Sequence, residues 1–379
     1  MKIVVLAHNL RGAGGLVVGT NFIRALRYVA SNHKYLIVYP SNVGYENIDL
    51  PNDTQFYAYD GESNLLKRLV YDCMFLPKII KEFEPDYILA LGNIGLTLPY
   101  KQAILFHQPQ LVYPVVHWGK CSFRWKVFAG LLKRRLKACL KYTQLVFCQT
   151  PVTRERFAKE FNFPIAKIKI MPNAVSEFAK LDRAISVKPS VFNDQSHFNL
   201  FCLTAYYPHK NLDVLVEIFR RFPEKLKDVR CLITISPNQS QNAKKYLDKI
   251  DKYGLSEYIV NVGFLKQTDL ANYYYNSDAL ILPTFLESFS GTYLEAMQFE
   301  VPILTSDLDF AHNICGDAAL YFNPWSASEV VDKIILLKEN IELRKTLVNN
   351  GKKQISTFFK GWEEITKDVI RELEDTFKS

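Results

Sequence analysis

Ala279-Leu280-Ile281-Leu282-Pro283-Thr284-Phe285-Leu286-Glu287-Ser288-Phe289-Ser290-Gly291-Thr292-Tyr293-Leu294-Glu295-Ala296-Met297 is the stretch from which the fold can be read. The apolar run Ala279 to Leu282 has the length and character of a buried strand, and a helical pattern follows the glycine. Strand, polar loop, helix places the backbone N–H groups of Ser290, Gly291 and Thr292 at a helix N-terminus. Unpaired amides and the helix dipole favour an anion there. Glu287, before the turn, and Glu295, inside the helix, flank that position with carboxylates. A ligand with a phosphate core and hydroxyls on both sides, a nucleotide sugar, suits the arrangement.

The same alternation runs through all 379 residues, a length that favours two domains. Strands are expected near Ile3–His8, Tyr35–Tyr39, Tyr87–Leu91, Ala103–His107, Leu145–Gln149 and Ile168–Met171. They are expected again near Leu200–Thr204, Cys231–Ile235, Ile259–Val262, Ala279–Leu282, Ile303–Thr305 and Ala319–Tyr321. Helical patterns in the first half fall near Val17–Ala30, Leu65–Glu82, Phe123–Tyr142 and Val152–Phe161. Alternation of this kind predicts an α/β protein with parallel sheets covered on both faces. The polar, aperiodic segment 187–198, with Pro189, reads as a linker between domains spanning 1–186 and 199–359.

Composition narrows the class. Hydrophobic content of 48% is enough for two cores, and no window reaches the ~20 apolar residues of a membrane span. Seven cysteines, Cys73, Cys121, Cys139, Cys148, Cys202, Cys231 and Cys315, form no C-x-x-C pair, which argues for a reducing compartment and against structural zinc. The net charge is +8 and unevenly spread: between Asp86 and Glu155 there are ten Lys or Arg and no acidic residue.

Glu287-x7-Glu295, with Phe289 and Leu294-Glu295-Ala296-Met297, resembles the signature of the retaining GT-B glycosyltransferases of the GT4-type group (glycosyltransferase group 1). The resemblance covers nearly the whole chain and is strongest from Leu200 to Pro324. It implies the GT-B fold, two doubly wound Rossmann-like domains facing across a cleft, with the helix over 360–379 packed back on the first. It implies that Glu287 and His107 touch the donor sugar, that Glu295 holds the ribose, and that Lys210 with the amides of 290–292 neutralises the diphosphate. Ser288 and Phe289 join the donor-binding set. Gly14 and Gly15, in Arg11-Gly12-Ala13-Gly14-Gly15, resemble the loop that reaches towards the diphosphate, although the segment is not G-x-G-x-x-G. Pro172-Asn173-Ala174-Val175 resembles the family's hinge segment, and the loop at Gly263-Phe264 is expected near the base.

Two departures stand out. Ser288 and Ser290 occupy positions where the family prefers glycine. Ala205 stands about where it offers a second cation, an arginine; His209 or another lysine would have to substitute. Asp307-Leu308-Asp309 is formally D-x-D but lacks the setting of a metal site, so neither metal nor cofactor is expected and the nucleotide sugar is a co-substrate.

Lys120, Arg124, Lys126, Lys133, Arg134, Arg135 and Lys137 are interleaved with aromatic and aliphatic residues, a composition suited to an anionic membrane surface. With the resemblance this implies a cytoplasmic enzyme peripheral on the inner face of the cell membrane. It would build a cell-surface polysaccharide of lipopolysaccharide, O-antigen or capsule type on a glycan or lipid-linked acceptor. No nucleic-acid-binding motif is present. The alternatives are a GT-B sugar-nucleotide epimerase, and a catalytically silent nucleotide- or sugar-binding protein, which the missing arginine would favour. A phosphorylase is disfavoured by the short length.

Overall fold

A computed structural model describes residues 1–29, 33–50, 54–59, 70–175, 186–358 and 360–378. The first elements are β1 (Lys2–Leu6), α1 (Ala13–Ala25), β2 (Lys34–Pro40), β3 (Thr54–Tyr59), α2 (Leu76–Phe83), β4 (Tyr87–Ala90) and β5 (Gln102–Phe106). They continue with α3 (Phe123–Leu140), β6 (Thr143–Cys148), α4 (Pro151–Phe161) and β7 (Ile168–Ile170). Next come β8 (Phe198–Cys202), α5 (Asp213–Arg221), β9 (Val229–Ile233), α6 (Gln241–Lys252), β10 (Ile259–Asn261), α7 (Gln267–Asn276), β11 (Ala279–Leu282) and α8 (Gly291–Gln298). The chain ends with β12 (Ile303–Ser306), α9 (Asp309–Cys315), β13 (Ala319–Phe322), α10 (Ala327–Glu339), α11 (Ile341–Phe358) and α12 (Trp362–Lys378). Residues 65–69, read as helical from the sequence, lie outside the described residues.

Two compact units divide the chain: Met1–Val112 with Phe123–Ala174 and Lys360–Ser379, and Tyr113–Ser122 with Val175–Phe359. The first holds a sheet of order β3-β2-β1-β4-β5-β6-β7 and the second one of order β10-β9-β8-β11-β12-β13. Every pairing is parallel. Each order reverses once, between β1 and β4 and between β8 and β11, and such reversal points open a crevice at the carboxyl ends of the strands.

β3 escaped the sequence reading. It is an edge strand, paired with β2 among the described residues, and its short aromatic run is partly exposed at Phe56 and Tyr57, unlike the buried aliphatic run of β11. The boundary between units also differs from the expected linker. The chain passes from one unit to the other at Ala174, inside Pro172-Asn173-Ala174-Val175. Segment 187–198 belongs to the second unit, where Phe192 is buried in its core and the Val187 N–H donates to Asn272 Oδ1 at 2.8 Å. Polarity and Pro189 concealed the anchor at Phe192.

In the first unit α1 presents Val18, Phe22 and Ala25 to the sheet at helical spacing, and α12 adds Trp362, Ile365, Val369 and Leu373 to the same core. The apolar side chains of α12 recur every three or four residues, so one face can be buried along its whole length. Gly19 of α1 lies against Tyr45: a Cβ there would stand 2.2 Å from the phenol oxygen and 2.9 Å from Leu10 Cδ1. Gly19→Ala is expected to lower stability by about 1–3 kcal/mol through this overlap. The midpoint of thermal unfolding should fall by several degrees, while Gly14→Ala, where nothing lies within 4 Å of a Cβ, should leave it nearly unchanged.

Candidate active site

In the second unit the loops that leave β8 and β11 meet at the reversal point. The backbone carbonyl of His209 accepts from the Phe285 N–H at 2.7 Å and from Thr284 Oγ1 at 3.0 Å. This double tie brings Lys210 to Glu287, and Nζ lies 2.5 Å from Oε1 in a partly buried ion pair. Asn211 takes up the left-handed turn after Lys210, with φ of 53°, and its side-chain amide donates to the Pro324 carbonyl at 2.9 Å. An ammonium has three donors, so the pair leaves Lys210 two more for a ligand.

Ser290 is the N-cap of α8, and its hydroxyl makes no capping bond. The first amides of the helix, including those of Gly291 and Thr292, have no partner within the helix ladder. Glu295 follows one turn later and is 8% exposed. Its Oε2 accepts from the Tyr274 hydroxyl at 2.9 Å. Tyr274 comes from α7, stacks on Phe299 and meets Phe201 edge-on. Burial, then the neighbouring carboxylate, push its phenol far above the ordinary value, so it stays a donor. Sequence reading missed Tyr274, because a tyrosine on an apolar helix face reads as core. Ser288 and Phe289 are buried beneath the same loop. The Gly263-Phe264 loop follows β10 at the sheet edge, with Phe264 largely exposed.

Burial and the adjacent Lys210 lower the His209 imidazole to about 4, against a smaller upward pull from Glu287. At neutral pH His209 is therefore uncharged in the free protein. The two carboxylates of Asp307-Leu308-Asp309 are engaged: Asp307 with His312 Nε2 at 2.6 Å, and Asp309 with the Tyr113 hydroxyl at 2.9 Å.

The remaining site residues lie in the first unit. Gly14 and Gly15, read as loop, are in the first turn of α1. Neither has positive φ, and Gly12 is the N-cap. The glycines thus present helix-end amides instead of a flexible turn. His107, read as the end of a strand, is the first residue after β5; its N–H donates to Asn93 Oδ1 at 2.7 Å, and burial lowers its imidazole to about 4. A group that weakly basic suits a neutral polar contact better than proton abstraction at neutral pH. At this unit's reversal point Asn9 Nδ2 donates to the Gly92 carbonyl at 2.9 Å, and buried His8 Nε2 lies 3.1 Å from Asp72 Oδ1.

Three of the seven residues of the expected basic patch are spoken for. Arg135 Nη2 lies 2.6 Å from Asp72 Oδ2, Lys133 Nζ lies 2.5 Å from Glu160, and Lys120 belongs to the second unit, 3.5 Å from Asp213. Their partners are distant in sequence, so charge spacing alone could not reveal them. Arg124, Lys126, Arg134 and Lys137 stay exposed on α3, alongside Phe123 (79% exposed), Val127 and Leu131 at successive turns. Among the described residues no helix is long and apolar enough to cross a membrane.

Residues 187–354 match the family described as glycosyl transferases group 1. The second unit is a group 1 glycosyltransferase domain. That domain makes the protein a glycosyltransferase. Over 320 residues the chain is 21% identical to the O-antigen chain mannosyltransferase RfbU of Salmonella typhimurium, a match covering 83% of this chain and 84% of that protein. It is 28% identical over 202 residues to the alpha-monoglucosyldiacylglycerol synthase of Acholeplasma laidlawii, covering 52% of this chain and 48% of the synthase. The crystal structure of HepE from Anabaena in complex with UDP-glucose is similar with a TM-score of 0.71 at 15% identity, over 99% of this chain and all of that one. At this identity the likeness concerns the fold, and the fold is GT-B.

Asp72 gives the glycosyltransferase a measurable pH dependence. Burial pushes its carboxyl up, but the hydrogen bond from His8 and the charges of His8 and Arg135 outweigh burial and hold it below the ordinary value. A depressed carboxyl contributes stability that is complete above the unfolded value of about 4 and is lost as pH falls through the folded value. Asp72→Asn is expected to cost about 3 kcal/mol at pH 7, because it leaves Arg135 without its charge partner. Thermal unfolding followed from pH 7 to pH 3 should show wild type and variant converging as the pH drops.

Proposed function

We propose that the protein is a retaining, metal-independent glycosyltransferase that moves a sugar from a nucleotide-diphosphate donor to a glycan acceptor. The acceptor is a lipid-linked intermediate of a cell-surface polysaccharide, and the reaction takes place at the cytoplasmic face of the membrane. The observation that carries the reading is the Lys210–Glu287 pair at the β8/β11 reversal, beside the N-terminus of α8 and the anchored carboxylate of Glu295. A cation, a helix end and two carboxylates in one loop cluster match diphosphate, sugar and ribose in one ligand. RfbU is named for O-antigen mannose transfer, and HepE was crystallised with UDP-glucose, which supports a nucleotide-sugar donor.

On this reading Glu295, anchored by the Tyr274 hydroxyl on Oε2, accepts the ribose hydroxyls. Glu287 accepts a sugar hydroxyl. As the bond from the anomeric carbon to the diphosphate oxygen breaks, negative charge grows on the diphosphate. Lys210 and the α8 amides stabilise that charge more in the transition state than in the ground state. The acceptor hydroxyl attacks from the face the diphosphate is leaving, and its proton passes to the departing phosphate oxygen, so configuration is retained. Lys210 and the amides fill the role a divalent cation would otherwise have.

Thermal unfolding with UDP, GDP, ADP, CDP and dTDP, each in EDTA, tests the donor site. One of these should raise the midpoint of the wild type, by mass action on the folded state, while Glu295→Ala and Lys210→Ala show much smaller shifts. Equal shifts in all three proteins, or none in the wild type, would remove this reading.

The membrane part rests on α3, where each exposed cation contributes about 1 kcal/mol near an anionic surface. Replacing Arg124, Lys126, Arg134 and Lys137 by Gln is expected to weaken flotation with phosphatidylserine-containing vesicles by roughly a hundredfold or more. Binding to neutral and anionic vesicles alike, or to neither, would contradict it.

A further inference from the structure

Tyr113–Ser122 comes from the first half of the chain and packs in the second unit. Its fastenings are independent of one another. The Tyr113 hydroxyl donates to Asp309 Oδ1 at 2.9 Å. Trp118 is buried, and its Nε1 donates to the Tyr113 carbonyl at 3.1 Å, so the segment folds on itself. His117 Nδ1 lies 3.1 Å from the Phe285 carbonyl. A carbonyl only accepts, so Nδ1 carries the proton. Gly119, with φ of +66°, approaches Pro208 so closely that a Cβ would stand 2.1 Å from the Pro208 carbonyl oxygen. The His117 ring also meets Trp325 edge-on at 5.7 Å, and Trp325 stacks on Phe285 at 5.2 Å.

Two of these contacts fall on the loops that carry the ion pair. Pro208 precedes Lys210 by two residues, and Phe285 precedes Glu287 by two. We propose that His117 is a positioning residue of the sugar end of the donor site; this rests on the reading of Lys210 and Glu287 as donor contacts. The His117 N–H holds the Phe285 carbonyl and so sets the backbone from which Glu287 reaches the sugar. Gly119 is the point at which the segment can lie flat on the Lys210 loop. The nucleotide end is held separately, by Tyr274 on Glu295 and by α8. Loss of the His117 contact therefore weakens recognition of the sugar and spares the nucleoside diphosphate. A mere structural prop would weaken both together.

Full-length wild type, His117→Phe, His117→Asn and Lys210→Ala are compared by calorimetric titration with UDP, GDP, UDP-glucose and GDP-mannose, and by the donor KM and kcat where turnover is measurable. Phenylalanine keeps a ring against Trp325 without the donor; asparagine restores a donor near the Nδ1 position. His117→Phe is expected to raise Kd and KM for the nucleotide sugar about tenfold, the worth of one good hydrogen bond, and to change Kd for the matching diphosphate by no more than about twofold. His117→Asn should recover most of the loss. Should His117→Phe fail to fold, Tyr113→Phe, which releases only the far end of the segment, should move the same ratio in the same direction by less. Unchanged sugar affinity, an equal loss for sugar and diphosphate, or no recovery in a folded His117→Asn would overturn the proposal. If Lys210→Ala binds every probe like wild type, or wild type binds none, the donor-site reading fails and the proposal falls with it.

Discussion

The carbonyl oxygen of His209 is the atom on which the second unit's site depends. It accepts from the Phe285 amide and from the Thr284 hydroxyl, and so ties together the two loops that the sheet reversal sends in opposite directions. Each bond is worth about 1 kcal/mol in net stability. Their geometric effect is larger, because they hold Lys210 and Glu287 at contact distance before any ligand arrives. Neither charge could stay in so sheltered a place alone. Removing the lysine would leave a carboxylate in a half-dry pocket, and removing the glutamate would leave an ammonium there. The tie and the pair are therefore one device, in which backbone bonds set the distance and the opposite charges make the burial tolerable.

Much of this was legible in the chain because the informative segments are short and local. The four residues of β11 are all buried, so an uninterrupted apolar run marks the strand, and the polar loop after it lies at a reversal point. What escaped has a common physical cause: it rests on contacts between residues far apart in sequence. Lys133 and Arg135 read as members of a basic face, and only folding shows Glu160 and Asp72 beneath them. Segment 113–122 precedes a helix of the first unit, and no local pattern shows that it packs in the second. β3 carries exposed aromatic residues and is fastened by pairing to β2 and by ring contacts to Tyr39 and Tyr71, all distant in sequence, so periodicity has nothing to report.

The first unit repeats the logic with different residues. Asn9 ties the loop after β1 to Gly92 after β4, and Gly92 has no room for a side chain, since a Cβ would stand 1.7 Å from Asn9 Oδ1. Beneath this tie Asp72 is shared between His8 and Arg135. A buried carboxylate is tolerated when its hydrogen bonds and counter-charges outweigh desolvation, and the lowered pKa of Asp72 places it on that side of the balance. Arg135 belongs to α3, whose outer face carries Arg124, Lys126 and Arg134. One helix therefore supports the interior with one cation and presents others to solvent.

If the β8 and β11 loops hold the donor as proposed, their electrostatics bear on the absence of an arginine near Ala205. Lys210 and Glu287 cancel each other, and His209 is uncharged at neutral pH. The carboxylate of Glu295 remains, so the free site carries no surplus of positive charge, and on the proposed reading a diphosphate would meet the remaining donors of one ammonium and the amides at the N-terminus of α8. A helix end is worth about 0.3–1 kcal/mol to an exposed anion and up to ~2 kcal/mol in a partly buried one, so ground-state binding on these terms is modest. On the proposed reading, departure of the sugar would change the balance. The diphosphate gains charge while its contacts stay fixed, and every donor aimed at it becomes more favourable in the transition state. On the proposed reading, a preorganised site without surplus positive charge would give up affinity for the resting donor and keep the part of the interaction that lowers the barrier.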